Sequence, residues 1–308
     1  MELIKPGTNI DFVGYRHAAV LISTALNIAA LVLLIARGGP NYGVDFSGGT
    51  VMDIRVTPAP PIGDVRAALA SVKLGDVTIQ EFGGTGEFLI RLPLAETESA
   101  AAAEAATSKE VSEALDAKFG KGKIDVLRVE SVGPRVGSDL RRKAILAVVF
   151  STVMMGIYIW FRFELRFGIG AAIALIHDVL ITVGALMLFN FEFDLTIVAA
   201  LLTIVGFSVN DTVIVSDRIR ENMRKSRRES FASIINSSIN ETLSRTILTT
   251  GTAILVILAL FFLGGNVIHG FAFALLVGFT TGTYSSIFIA SPVVLVMEPV
   301  RARVARRK

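Results

Sequence analysis

Gly206-Phe-Ser-Val-Asn-Asp-Thr-Val-Ile-Val-Ser-Asp-Arg-Ile-Arg-Glu-Asn222 is an apolar helical stretch that holds a carboxylate, Asp211, well inside it and turns basic towards its end. A charge buried in hydrocarbon is costly, so an acidic residue within a membrane span marks a functional position by default. Whether this stretch is such a span depends on its surroundings. The chain has 308 residues, 52% hydrophobic and 19% charged, and soluble domains carry more charge than that. This is the composition of a membrane protein.

Working outward, the chain shows six apolar runs long enough to cross a bilayer: His17 to Ala36, Ala144 to Phe161, Gly168 to Phe189, Leu195 to Val215, Thr246 to Leu263 and Phe271 to Met297. The first is too long for a signal peptide and has no clean small-residue cleavage site before Arg37, so it reads as an uncleaved span. Six spans put both termini on one side.

Between the first and second spans, residues 38–138 change to a soluble pattern. Met52, Ile54 and Val56 alternate with Asp53 and Arg55, the period of a half-buried strand. A helix is expected from Ile62 to Val72. Val77 to Gln80 and Phe88 to Leu92, separated by Gly83-Gly-Thr-Gly86, read as a hairpin. A helix from Thr97 to Phe119 and a strand from Ile124 to Glu130 complete the order β-α-β-β-α-β, the ferredoxin-like α+β arrangement. The expected fold is therefore a six-span α-helical membrane protein with one such domain. Its parts are residues 1–37 (N-terminus and first span), 38–138 (the α+β domain), 139–300 (the other five spans, with a basic loop at 217–243) and 301–308 (a basic tail).

Orientation follows from the Lys and Arg of the short connections. Arg162 and Arg166, then Arg218, Arg220, Arg224, Lys225, Arg227 and Arg228, and then Arg301, Arg303, Arg306, Arg307 and Lys308 lie on one side; 190–194 and 264–269 carry none. This predicts cytoplasmic termini and a domain on the outer face. The basic loop is an orientation signal that also suits contact with anionic membrane lipid or a cytosolic partner.

Zero cysteines and three histidines leave no thiol chemistry and little for a metal centre, so no cofactor, metal site or enzymatic activity is expected. A net charge of +3, with its cations in short connections, gives no nucleic-acid footprint.

Ionisable residues interrupt three spans: His177 and Asp178, Asp211, and Arg245. Counted from the outer ends of their spans, Asp211 lies roughly 26 Å and Arg245 roughly 27 Å deep. This places them level, as a direct or water-bridged pair if the two spans adjoin. Asp178, roughly 18 Å deep, is nearer the midplane. Ser208, Asn210 and Thr212 beside Asp211, and Ser244 and Thr246 beside Arg245, supply polar groups able to hold water. Two readings remain: a structural ion pair, or a proton-linked switch in which Asp211 carries the proton because arginine stays charged. For His177 and Asp178 the alternatives are helix packing and a role in the same proton route. Gly278 and Gly282, with Thr280, Thr281, Ser285 and Ser286, read as a small-residue packing face.

Five tracts together resemble the SecF family, the accessory subunits of the bacterial Sec protein translocase: Gly43-Val-Asp-Phe-Ser-Gly-Gly49, Ser131-Val-Gly-Pro-Arg-Val-Gly137, Ala174-Leu-Ile-His-Asp178, the opening stretch, and Ser244-Arg-Thr246. The resemblance implies half of a resistance-nodulation-division-like transporter in the bacterial inner membrane. It implies a heterodimer with SecD, working with the SecYEG channel and the SecA ATPase on unfolded secretory polypeptides. In that family the proton-motive force drives late translocation and release on the outer side, and the aspartate and arginine matching Asp211 and Arg245 are linked to proton transport. A passive assembly subunit and a stand-alone proton-coupled exporter are the alternatives. Phe207 departs from the family's commoner tyrosine, which removes a hydroxyl.

Overall fold

The computed structural model describes residues 9–70, 77–81, 84–92, 100–226 and 228–298. In chain order the elements are α1 (Arg16–Ala36), α2 (Val44–Ser47), β1 (Gly49–Val56), α3 (Ile62–Leu69), β2 (Thr78–Glu81), β3 (Glu87–Leu92), α4 (Ala100–Phe119), β4 (Ile124–Val132), α5 (Pro134–Arg162), α6 (Leu165–Leu188), α7 (Leu195–Lys225), α8 (Phe231–Leu263), α9 (Asn266–Ser285) and α10 (Ser291–Val296), with a π-helical turn at Ser286–Ala290. Two compact units result: Tyr42–Ile145 with Glu192–Leu195, and Met1–Asn41 with Leu146–Phe191 and Thr196–Lys308.

The first unit is a four-stranded antiparallel sheet in the order β2-β3-β1-β4. Alternation along β1 sends Met52, Ile54 and Val56 into a core with Val65, Leu69, Ile79, Phe88, Ile90, Val111 and Leu115, so both helices pack on one face of the sheet. The predicted continuation of α3 to Val72, the start of α4 at Thr97 and Gly83 of the hairpin lie outside the described residues.

Two glycine tracts far apart in sequence meet here. Gly48 and Gly49 have φ of +74° and +122°, which side chains disfavour, and they turn the chain from α2 into β1. A Cβ on Gly137 would stand 2.9 Å from the Gly48 nitrogen and 3.2 Å from the Phe46 carbonyl oxygen. In the same unit Asp45 Oδ2 accepts the Leu195 N–H (2.9 Å), the Gly43 N–H donates to Phe193 O (2.8 Å), and Arg91 pairs with Glu192.

The second unit holds the helical bundle. Among the described residues six helices are long and apolar enough to cross a membrane, making this a multi-pass membrane protein. Those of α6, α7 and the sixth span are about half buried, whereas less than a fifth of the apolar windows of α1, α5 and α8 is buried. Small residues permit the close approaches: Gly278 lies against Ile204, Gly282 against Ser208, and Gly184 against Ala30. Within the predicted loop at 217–243, α7 runs on to Lys225 and α8 begins at Phe231, because both helices continue past their apolar lengths. Hydropathy marks where a span leaves the membrane, and a helix whose polar extension is hydrogen-bonded need not end there.

On the sheet face away from the helices, Asp53 is 8% exposed and its Oδ1 has no partner among the described residues. Burial pushes its carboxyl above the ordinary value of 3.8, against Arg128, while Glu130 and Glu87 push the same way as burial. Arg128 is itself engaged by Glu130. A carboxyl that holds its proton more tightly when folded stabilises the fold below the unfolded pKa, and that contribution is lost as pH rises through the folded pKa. Asp53→Asn should therefore gain stability relative to wild type as pH rises from about 4 towards neutrality, read by hydrogen exchange of the β1 amides in the full-length protein. A pH-independent difference contradicts this.

Candidate functional site

The seam between α6, α7, α8 and the sixth span carries the polar residues of the bundle. Asp211 is fully buried. Its Oδ2 accepts hydrogen bonds from Thr283 (3.2 Å) and, more weakly, Thr250 (3.4 Å), and these two hydroxyls lie 2.8 Å apart. Its Oδ1 has no partner among the described residues, and neither does the buried Thr246 Oγ1. A carboxylate in hydrocarbon with one oxygen unsatisfied is electrostatically incomplete.

Asp178 contrasts with it. Also fully buried, it takes the Ser208 and Ser285 hydroxyls on Oδ2 at 2.6 and 2.8 Å, and His177 Nδ1 lies 2.9 Å from Oδ1. Three helices are thus tied to one carboxylate. The His177 ring stacks on Tyr284, whose hydroxyl donates to Ala19 O (3.0 Å) and accepts from Ser23 (3.0 Å), bringing in α1. Thr212 Oγ1 lies 3.0 Å from Ser286 Oγ, one turn along α7 from Ser208.

The level pair expected from helix depth is not a contact. Arg245 is exposed and makes no ion pair with Asp211, although it lies within electrostatic reach. The cause is azimuth. On α8 the buried stripe runs through Thr242, Thr246 and Thr250, and a residue one position off it is rotated by about 100°. Rise per residue sets depth and says nothing about which way a side chain leaves the helix. Asn210 is likewise exposed and takes no part, and Ser244 is half-buried without reaching Asp211. Phe207 lies flat on Phe279 at a centroid distance of 3.7 Å.

Thr283 was not visible as a site residue in the sequence, nor were the hydrogen bonds of Ser285 and Ser286. The signal available was hydroxyl density, six Ser and Thr residues at 280, 281, 283, 285, 286 and 291 within an apolar span. Ser286 opens the π-turn, Ser291 follows it, and Ser291 Oγ donates to Ser286 O across it (2.9 Å); such turns recur at functional sites. Among the described residues no group of three His, Asp or Glu is placed to hold a metal ion.

Sequence and fold comparisons agree on kinship. A family model described as protein export membrane protein SecD/SecF, C-terminal, matches residues 111–300, and a SecD/SecF GG motif model matches 33–60. The chain belongs to the SecD/SecF family. It is 47% identical over 293 residues to the protein translocase subunit SecF of Desulfurispirillum indicum, covering 94% of this chain and 92% of that protein. With SecF of Escherichia coli O157:H7 it shares 40% over 309 residues, 100% of this chain and 94% of the other. A crystal structure of SecDF from Thermus thermophilus aligns with a TM-score of 0.83 at 37% identity, covering 94% of this chain and 39% of that one. SecDF in a super-membrane-facing form aligns at 0.69 and 38%, covering 96% of this chain and 39% of that chain. The chain therefore spans about two fifths of the SecDF chains it matches.

The two aspartates should respond differently to substitution. Asp178→Ala removes the acceptor of His177 on its own helix and of Ser208 and Ser285 on two others, and at ~0.6–1.7 kcal/mol per interhelical bond the latter two alone should cost roughly 1–3 kcal/mol. Asp211→Asn keeps an acceptor for Thr283 and loses no partner at Oδ1, so it should cost under about 1 kcal/mol. Reversible unfolding in detergent-lipid micelles measures both, and equal costs would contradict the distinction.

Proposed function

We propose that this chain is a proton-driven accessory subunit of the Sec translocase, pairing with a SecD-type subunit and using Asp211 as its proton-accepting group. The observation that carries this reading is the fully buried Asp211 with one unpartnered oxygen, set among hydroxyls that hold water and protons easily. A carboxylate placed only to pack helices would be satisfied as Asp178 is. Arg245, near but not bonded, lets its effect on Asp211 change when α7 and α8 shift, which links proton uptake to movement. Each proton crossing 100 mV releases about 2.3 kcal/mol, enough to bias such a shift.

The rest follows from kinship and charge. The SecDF neighbours are more than twice as long as the matched region, and a separate SecD-type subunit would supply the remainder. Lys and Arg asymmetry supports the inner membrane with cytoplasmic termini. The sheet unit then lies on the outer side, and its strand order supports the ferredoxin-like reading. There it would receive an unfolded polypeptide from the SecYEG channel after SecA has pushed it. The chain itself is a non-enzymatic subunit, with the proton as coupling ion. His177 and Asp178 act on this reading as the packing anchor of the moving helices, and Ser208 and Thr212 connect that anchor to Asp211's helix.

Reconstitution with a SecD partner and SecYEG tests this. Late, ATP-independent translocation should quicken with a proton gradient for wild type and not for Asp211→Asn. Equal gradient stimulation in both would remove Asp211 as the coupling group, and no stimulation in either would leave a passive assembly role.

A further inference from the structure

We propose that the segment Asn9–Gly14 is a gate over the cytoplasmic end of the Asp211 seam, held shut by Asn236 and Asn240; the assignment rests on the proton-coupling reading above. The two asparagines lie one turn apart on α8, and their amides bind mainly the backbone of the segment. Asn240 Oδ1 accepts the Ile10 N–H (2.8 Å) while its Nδ2 donates to Ile10 O (2.9 Å), so one amide reads both polar groups of one residue. Asn236 Oδ1 accepts the Val13 N–H (3.2 Å), and its Nδ2 donates to Ile10 O (3.0 Å) and Asn9 Oδ1 (3.2 Å). An amide carries a donor and an acceptor as a peptide group does, and here two of them replace a neighbouring strand.

The clasp positions apolar side chains. Phe12 and Val13 pack against the bundle core, and the Phe12 ring meets Phe288 edge-on at 5.8 Å, within the π-turn. The gap beneath them, lined by Phe12, Val13, Arg16, Ile235, Ile287 and Leu295, has no room for a water molecule. At the far end Asp11 Oδ1 accepts the Gly14 N–H (2.8 Å), which fixes the turn into α1.

Location gives the seal its meaning. Asn240 and Asn236 precede Arg245 by five and nine residues on one helix, about 8 and 14 Å towards the end assigned to the cytoplasm. The clasp bonds to Ile10 are solvent-exposed, so they exchange readily for water. The gap beneath Phe12 and Val13 admits no water. A strap with wet bonds and an apolar plug releases without breaking the helices it covers.

The chain has no cysteine, so Thr246→Cys supplies a single thiol beside Asp211's seam, at a hydroxyl with no partner to lose. In full-length protein reconstituted with its cytoplasmic face accessible, a small methanethiosulfonate cation should label it slowly. Asn236→Ala with Asn240→Ala, and separately Phe12→Ala, should raise the rate about tenfold, as when a per-cent-level open state becomes a tenth of the molecules. Unchanged helical circular dichroism in both variants shows that the bundle is folded. No rise in either folded variant overturns the gate. Passive proton leak should rise in the Asn variant and fall again when Asp211→Asn is added. Faster labelling with a leak indifferent to Asp211 upholds the gate and counts instead against proton coupling at Asp211.

Discussion

A carboxylate inside a hydrocarbon slab must be neutralised, hydrogen-bonded or reached by water, and the bundle meets this demand differently at its two buried aspartates. Asp178 is saturated by donors from its own helix, α7 and the sixth span, and the arrangement closes on itself. Asp211 has two hydroxyls on one oxygen and none on the other. The glycines at 278 and 282 bring α7 and α9 close enough for these bonds, so packing and polarity serve the same seam. The first carboxylate is fully satisfied, and the second keeps one oxygen without a partner among the described residues.

What could be read in the chain follows from which periodicities reach the surface of the sequence. Apolar run length located all six spans, and period-two alternation located β1 because only one face of it meets helices. The length of α7 and α8 beyond the membrane was not legible, since their polar extensions look like loop in hydropathy alone. Depth along a helix was legible and direction around it was not, which is why Asp211 and Arg245 could be set level and still fail to touch. Thr283 was hidden in a stretch whose small residues have a sufficient explanation in packing.

The sheet unit shows tertiary contact between sequence signals that look independent. The turn at Gly48 and Gly49 and the glycine in the first turn of α5, Gly137, are each ordinary glycine chemistry, and together they make a backbone crossing too close for a Cβ at Gly137. Glu192 and Leu195, sixteen residues and more before Asp211 in the chain, join the same unit through Arg91 and Asp45.

The central claim is that Asp211 changes protonation state while Asp178 does not. Infrared difference spectroscopy between acidic and alkaline pH, on the chain in lipid bilayers, observes this directly. The account predicts a protonated-carboxyl band that disappears on alkalinisation, is missing in Asp211→Asn and persists in Asp178→Asn. Identical difference spectra for wild type and Asp211→Asn would contradict it.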